Sequence, residues 1–251
     1  MKPFIANFKN ELYKLSTKKK YVVFAIIGIL ICLFKVLSAW VVTKLSRGMI
    51  PLQIEGMAMG MLPFFAEILI PLMMFMAVTD LFCSEFHDNS IKAVLMRPIS
   101  RSKVMLSKIF ACFTMAIIQF AVVFVTCTLL EAIFGTPAKL GESFLVSLSS
   151  YAIDLVPLFV LILMAVLINM LTKGSTLAMF LCFLVYALMK YCNYFVPSLS
   201  AMLFTSYNQW HKLWIGSRLP FHAMISKILL LVGSGILFYT GGYYLFDKKE
   251  I

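Results

Sequence analysis

Six apolar stretches, each long enough to cross a bilayer, occupy most of this 251-residue chain. A spanning helix needs about 20 mostly apolar residues. The runs fall at Tyr21–Val42, Met57–Phe82, Val104–Leu130, Phe144–Leu171, Ser175–Phe195 and Met224–Phe246. Hydrocarbon offers no partner to a backbone N–H or C=O, so a span is either a helix or a strand of a closed barrel. Barrel strands alternate in polarity over about 10 residues; these runs are continuous, which selects helices. With 62% hydrophobic and 13% charged residues and a mean hydropathy of +0.95, the chain lies outside the range of water-soluble domains. The expected fold class is an all-α membrane protein with six transmembrane helices. A single domain over residues 1–251 is expected, because no Ser/Gly/Pro-rich linker divides the chain.

The net charge of +11 reads as membrane orientation, not nucleic-acid binding, because of where the charges lie. Six lysines precede the first span (Lys2, Lys9, Lys14, Lys18, Lys19, Lys20), and Lys92, Arg97, Arg101, Lys103 and Lys108 lie between the second and third. Placing both termini in the cytoplasm adds Lys173, Lys248 and Lys249 to that side. The first span has a basic start like a signal peptide but a long leading region and no small-residue cleavage site, so it is read as retained. The six cysteines lie in or near spans without disulfide or zinc spacing, and are read as small buried apolar groups.

Two segments outside the spans carry pattern. In residues 1–20, Phe4, Ile5, Phe8, Leu12 and Leu15 share one helical face opposite Lys2 and Lys9, which describes an interfacial amphipathic helix on lipid headgroups. In residues 83–103, Asp88 or Asn89 can cap a short helix with Ile91, Val94 and Leu95 on one face and Lys92, Arg97 and Arg101 at its rim. Pro98 stops that helix, and Ser100 is placed to cap the next.

This second segment resembles the first cytoplasmic loop of type-2 ABC exporter permeases, with an acidic residue (Glu85), a short helix (Ser90 to Met96), a Pro98-Ile99-Ser100-Arg101 turn and Lys108 at the start of the third span. Asn89 and Ser90 stand where that family usually has Gly-Thr. NELYKLSTKK (Asn10 to Lys19) and the ending LFDKKEI (Leu245 to Ile251) are similar to the family's amphipathic helix and C-terminus. The resemblance implies a permease subunit paired with a separate ABC ATPase. Its coupling helix would meet that ATPase through Glu85, Ile91, Lys92, Val94, Leu95, Arg97, Pro98 and Arg101. It further implies a second permease copy or a related permease, ATP and magnesium on the partner subunit and none on this chain, and residence in a bacterial plasma membrane. An amphipathic compound such as a peptide antibiotic would be the exported substrate.

Polar residues within spans are costly and are candidates for a substrate path or gate. Glu67 and Asp154 are the deepest; each also lies near a proline (Pro63 and Pro71, or Pro157) and could instead steady a kinked helix. Asp80 and Glu131, nearer span ends, are expected to be solvated or paired. Lys35 and Lys190 are expected to extend toward headgroups. Residues 196–223 form a region too polar to span. Trp210 and Trp214 would share an interfacial face there, with His211 beside them, and the resemblance implies a pair of short outer helices. Glycines of the last span, Gly233, Gly235, Gly241 and Gly242, suit close helix packing.

No P-loop, zincin or serine-hydrolase motif is present, so no catalytic residue and no metal ligand is assigned, and the chain is not expected to be an enzyme. A stand-alone channel or proton-coupled carrier relaying through Glu67 and Asp154 is the alternative; it leaves the loop helix without a role.

Overall fold

The structure, a computed structural model, describes residues 2–46, 54–87, 99–135, 140–196, 202–215 and 221–248. These residues are almost wholly helical, and six of their helices are long and apolar enough to cross a membrane. An amphipathic helix α1 (Lys2–Ser16) leads into α2 (Lys19–Leu45), the first span. The second span is composite: α3 (Met57–Phe64), one turn of π-helix (Phe65–Leu69) and α4 (Ile70–Leu81), followed by the short α5 (Cys83–His87). Spans three to five are α6 (Arg101–Phe134), α7 (Leu140–Leu171) and α8 (Ser175–Phe195). A 3₁₀ turn (Phe204–Tyr207) and the single turn α9 (His211–Trp214) precede the last span, α10 (Phe221–Lys248).

The π turn has a local cause. Proline has no N–H, so Pro71 cannot donate to the carbonyl four residues earlier, that of Glu67. The helix widens over Phe65–Leu69, and the Glu67 carbonyl accepts a 2.7 Å hydrogen bond from the Tyr186 hydroxyl of α8. A neighbouring helix thereby supplies what proline removed, as hydrocarbon requires. At the start of this span Gly56 adopts a left-handed backbone (φ 67°), a conformation glycine enters without penalty. Its N–H donates to the Glu131 carboxylate at 2.7 Å, so Glu131 is paired at its span end as expected.

The core is built on α4, α6 and α7, whose buried faces include Met73, Phe75, Met105, Ile109, Leu161 and Val166. Spans α2, α8 and α10 lie outside them and expose Phe34, Phe180 and Ile236 among many apolar side chains. Lipid is as apolar as leucine, so close packing, not water release, holds such helices together. Glycines let α10 approach its neighbours: a β-carbon at Gly242 would stand 3.3 Å from Met105 Cε of α6 and 3.6 Å from Val166 Cγ1 of α7, and one at Gly241 would stand 3.2 Å from Leu167 Cδ1 of α7. Gly233 faces open space. Of the six cysteines, Cys192 is half-buried, the other five are buried and all are free; Cys32 and Cys127 bring their sulfurs to 3.3 Å between α2 and α6.

Gly242→Val is expected to overpack this contact and to cost about 1–3 kcal/mol. The check is the unfolding midpoint in mild detergent, with Gly233→Val changing it little.

Candidate functional site

Among the described residues, most of the buried charge lies in two polar assemblies, one near each end of the bundle. The first joins α1, α5 and α6. Lys108 lies two turns into α6 with no exposed side-chain surface, and its ammonium sits 2.6 Å from Glu85 Oε2 and 3.1 Å from Glu11 Oε2. Lys14 closes the box, 2.9 Å from Glu85 Oε1 and 3.2 Å from Glu11 Oε1. Two carboxylates and two ammonium groups leave no net charge. Burial of an ion is tolerable only with such pairing, because desolvation costs several kcal/mol per ion.

One turn earlier on α1, Asn7 donates to Ser107 Oγ at 2.5 Å. Helix α1 therefore docks through Asn7, Glu11 and Leu15, all buried and spaced four residues apart. Phe8 and Leu12 pack partly against the core, and Ile5 remains exposed. The expected interfacial helix is present but is seated on protein by a polar stripe. Burial draws the Lys14 amine down, and its bonds to Glu85 and Glu11 outweigh that, holding its pKa above the ordinary 10.5. A raised value means the pairing is complete below the ordinary pKa and is lost only as pH rises through the higher one.

Beside the box, Asp80 at the end of α4 collects the base of α2. It accepts from Tyr21 Oη at 2.6 Å and pairs with Lys20 at 2.5 Å and Lys18 at 3.2 Å.

The second assembly binds the segment 204–214 to the far end of the bundle. Glu67, on the π turn, meets Lys190 Nζ at 2.7 Å and Gln209 Nε2 at 2.9 Å. Asp154, fully buried on α7, accepts from the His211 backbone N–H at 2.8 Å and lies 2.7 Å from His211 Nδ1. Asn208 donates to Tyr186 Oη at 2.9 Å, and Asn193 bonds Thr205 and Ser206. The two deepest carboxylates thus hold one short segment at positions two residues apart. Lys190 turns to Glu67 and not to headgroups, because an unpaired carboxylate at that depth is the greater cost. The outer region also departs from expectation: Trp210 and His211 are buried in the bundle, and only Trp214 keeps an exposed face, with the two indoles edge to face at 5.8 Å.

The family described as ABC-2 family transporter protein matches residues 7–190, well over half of the chain and all four members of the charge box. The chain belongs to the ABC-2 transporter family. No curated protein matches it. As an ABC-2 permease it is a multi-pass membrane protein, a transport subunit of a family whose members carry no ATPase site of their own.

Of the residues expected to couple this ABC-2 permease to an ATPase, Glu85 lies in the charge box, and Arg101 donates to the Asp247 carbonyl with its carboxylate 3.7 Å away. Ile91, Lys92, Val94, Leu95, Arg97 and Pro98, with Asp88 and Asn89, lie outside the described residues. Ser100 takes the N-cap position of α6 in extended backbone, yet its hydroxyl turns to Ser102 Oγ at 3.3 Å instead of capping. Among the described residues no cluster of metal-ligating side chains occurs. Glu11, Lys14, Lys190 and Gln209 were not singled out as site residues from sequence. For Glu11 a signal existed: at the helical period it falls between Asn7 and Leu15, on the edge of the apolar face where a carboxylate has no place without a cation.

Lys108→Met is expected to strand Glu11 and Glu85 and to lower stability by about 3–5 kcal/mol. Adding Glu11→Gln, which leaves Lys14 to neutralise Glu85, should recover a large part. The unfolding midpoints of the two variants in mild detergent give the comparison.

Proposed function

We propose that this ABC-2 permease is the membrane subunit of an exporter, driven through the segment 88–98 by a separate ABC ATPase and working as a dimer. The observation that carries the reading is the burial of Glu85 against Lys108, Lys14 and Glu11. Glu85 lies three residues before that segment and at the same time grips the amphipathic helix and the third span. A push on the segment therefore moves α5, and the charge box passes the displacement to α1 and α6 together. Closure of two ATPase subunits supplies the differential binding free energy that shifts the permease between its inward- and outward-facing states. Two-fold ATPase symmetry calls for two such segments, hence two permease copies or one copy with a related permease.

In this reading the α1 end faces the cytoplasm of a bacterial cell, in keeping with the lysines gathered there. ATP and magnesium belong to the partner. The substrate is an amphipathic compound, a peptide antibiotic among the candidates, taken up from the apolar interior of the assembly. Glu67 and Asp154 act as fasteners for the segment 204–214, which must shift for the substrate to leave. Their existing partners argue against a free proton relay, and so against the carrier alternative.

Purified from its host in mild detergent, the permease is expected to bring with it a stoichiometric soluble ATPase with substrate-stimulated hydrolysis. Val94→Asp with Leu95→Asp should abolish that stimulation while membrane insertion persists. Glu85→Gln should retain the bound ATPase but lower stimulation about tenfold. Undiminished stimulation in the double aspartate variant would sink the assignment of residues 88–98 as the coupling element.

A further inference from the structure

Helices α6 and α10 both pack on α7 but scarcely on each other, and the gap between them is a lateral groove of about 800 Å³. Phe110 and Phe113 of α6 line one wall, Val232 and Ile236 of α10 the other, and Leu155 and Phe159 of α7 the floor. It begins at Leu106 and Tyr239 near the α1 end and stops at Trp210. Along α7 it runs from Ala152 to Leu163, which at 1.5 Å per residue is about 16 Å. That is roughly half of a hydrocarbon core about 30 Å thick, or the depth of one leaflet.

The foot of the groove is basic. Lys103 lies one turn before Leu106 on α6, with Phe110 a further turn on, so the three follow one stripe. Lys103 is exposed and makes no ion pair among the described residues. Arg101, two residues earlier on α6, is 42% exposed and is taken up by Asp247 at the end of α10. An apolar channel one leaflet deep, with the exposed Lys103 one turn beyond its end, has the chemistry of one amphiphile: hydrocarbon above, anionic phosphate below. Basic sites between spans at a membrane surface select anionic headgroups. A second copy related by an axis along the membrane normal is the poorer occupant, because it brings an identical basic foot to the same depth.

We propose that this groove is a binding site for an anionic phospholipid, with an acyl chain between α6 and α10 and the phosphate on Lys103. The site is on the flank of the bundle, distinct from the charge box, and does not depend on the exporter reading. Because lipid surrounds every span, the fingerprint of the site is preference for the headgroup.

Trp210 at the end of the groove is the reporter. With Trp40→Phe and Trp214→Phe it is the remaining indole of the chain's three. The protein is reconstituted in vesicles with chain-brominated phosphatidylglycerol or chain-brominated phosphatidylcholine, whose bromines quench an adjacent indole. Half-quenching is expected at about a fivefold lower mole fraction of the anionic lipid, the worth of one interfacial cation. Lys103→Gln should bring the two lipids together. Gly235→Leu should remove saturable quenching by both, since a β-carbon there meets Leu163 and Val160 at ordinary contact, 3.7 and 3.8 Å, and the longer side chain fills the groove. Equal quenching by both lipids in the parent overturns the proposal, as does shielding of Trp210 from both, the result a second copy on the groove would give. Lys103→Gln, at an exposed position, keeps the headgroup test available should Gly235→Leu fail to fold.

Discussion

The burial of Lys108 governs this architecture. An ammonium with no exposed side-chain surface requires anions at fixed distance, and the two it finds come from separate elements earlier in the chain: Glu11 on the helix before the first span and Glu85 at the end of the second. Neither a nonpolar residue nor a surface lysine would impose that geometry. Buried ion pairs contribute little net stability once desolvation is counted; what this one contributes is position. It fixes α1 across α6 and sets α5 against both, so three elements that could each slide in a lipid-like interface share one register.

At the far end the same economy operates through different chemistry. Pro71 deprives the Glu67 carbonyl of its helical donor, the helix opens into a π turn, and Tyr186 fills the vacancy. The side chain of Glu67 is presented on that turn to Lys190 and Gln209, while Asp154, near the mid-helix Pro157, takes the N–H and the ring of His211. A proline and a carboxylate within the membrane are thus close together on both spans, and each carboxylate is satisfied by groups from other elements.

The fold was largely legible because its strongest determinant is local. A continuous apolar run states a span whatever its neighbours do, and all six runs became helices. Pairing was less legible, because partners of a buried charge lie far apart in sequence: Lys108 and Glu11 are separated by 97 residues. Glu67 and Asp154 were visible as costly groups, but not that both hold the segment 204–214, since Gln209 and His211 look like ordinary interfacial residues in a polar loop. Helix α1 illustrates the division best. Its apolar periodicity correctly described a helix, and that same emphasis drew attention from Asn7 and Glu11, the residues by which it is attached.

The separation of Glu11 from Lys108 also bears on how the protein is made. Chains are synthesised from the N-terminus, so Glu11 emerges long before Lys108, its fully buried partner. Until the second and third spans are in place, Glu11 has only Lys14 of its own helix as counter-charge, and α1 lacks the Lys108 and Glu85 groups against which it seats. Its docking therefore waits on two later spans, which carry Glu85 and Lys108. A helix made before the first span thus reaches its place only after the third.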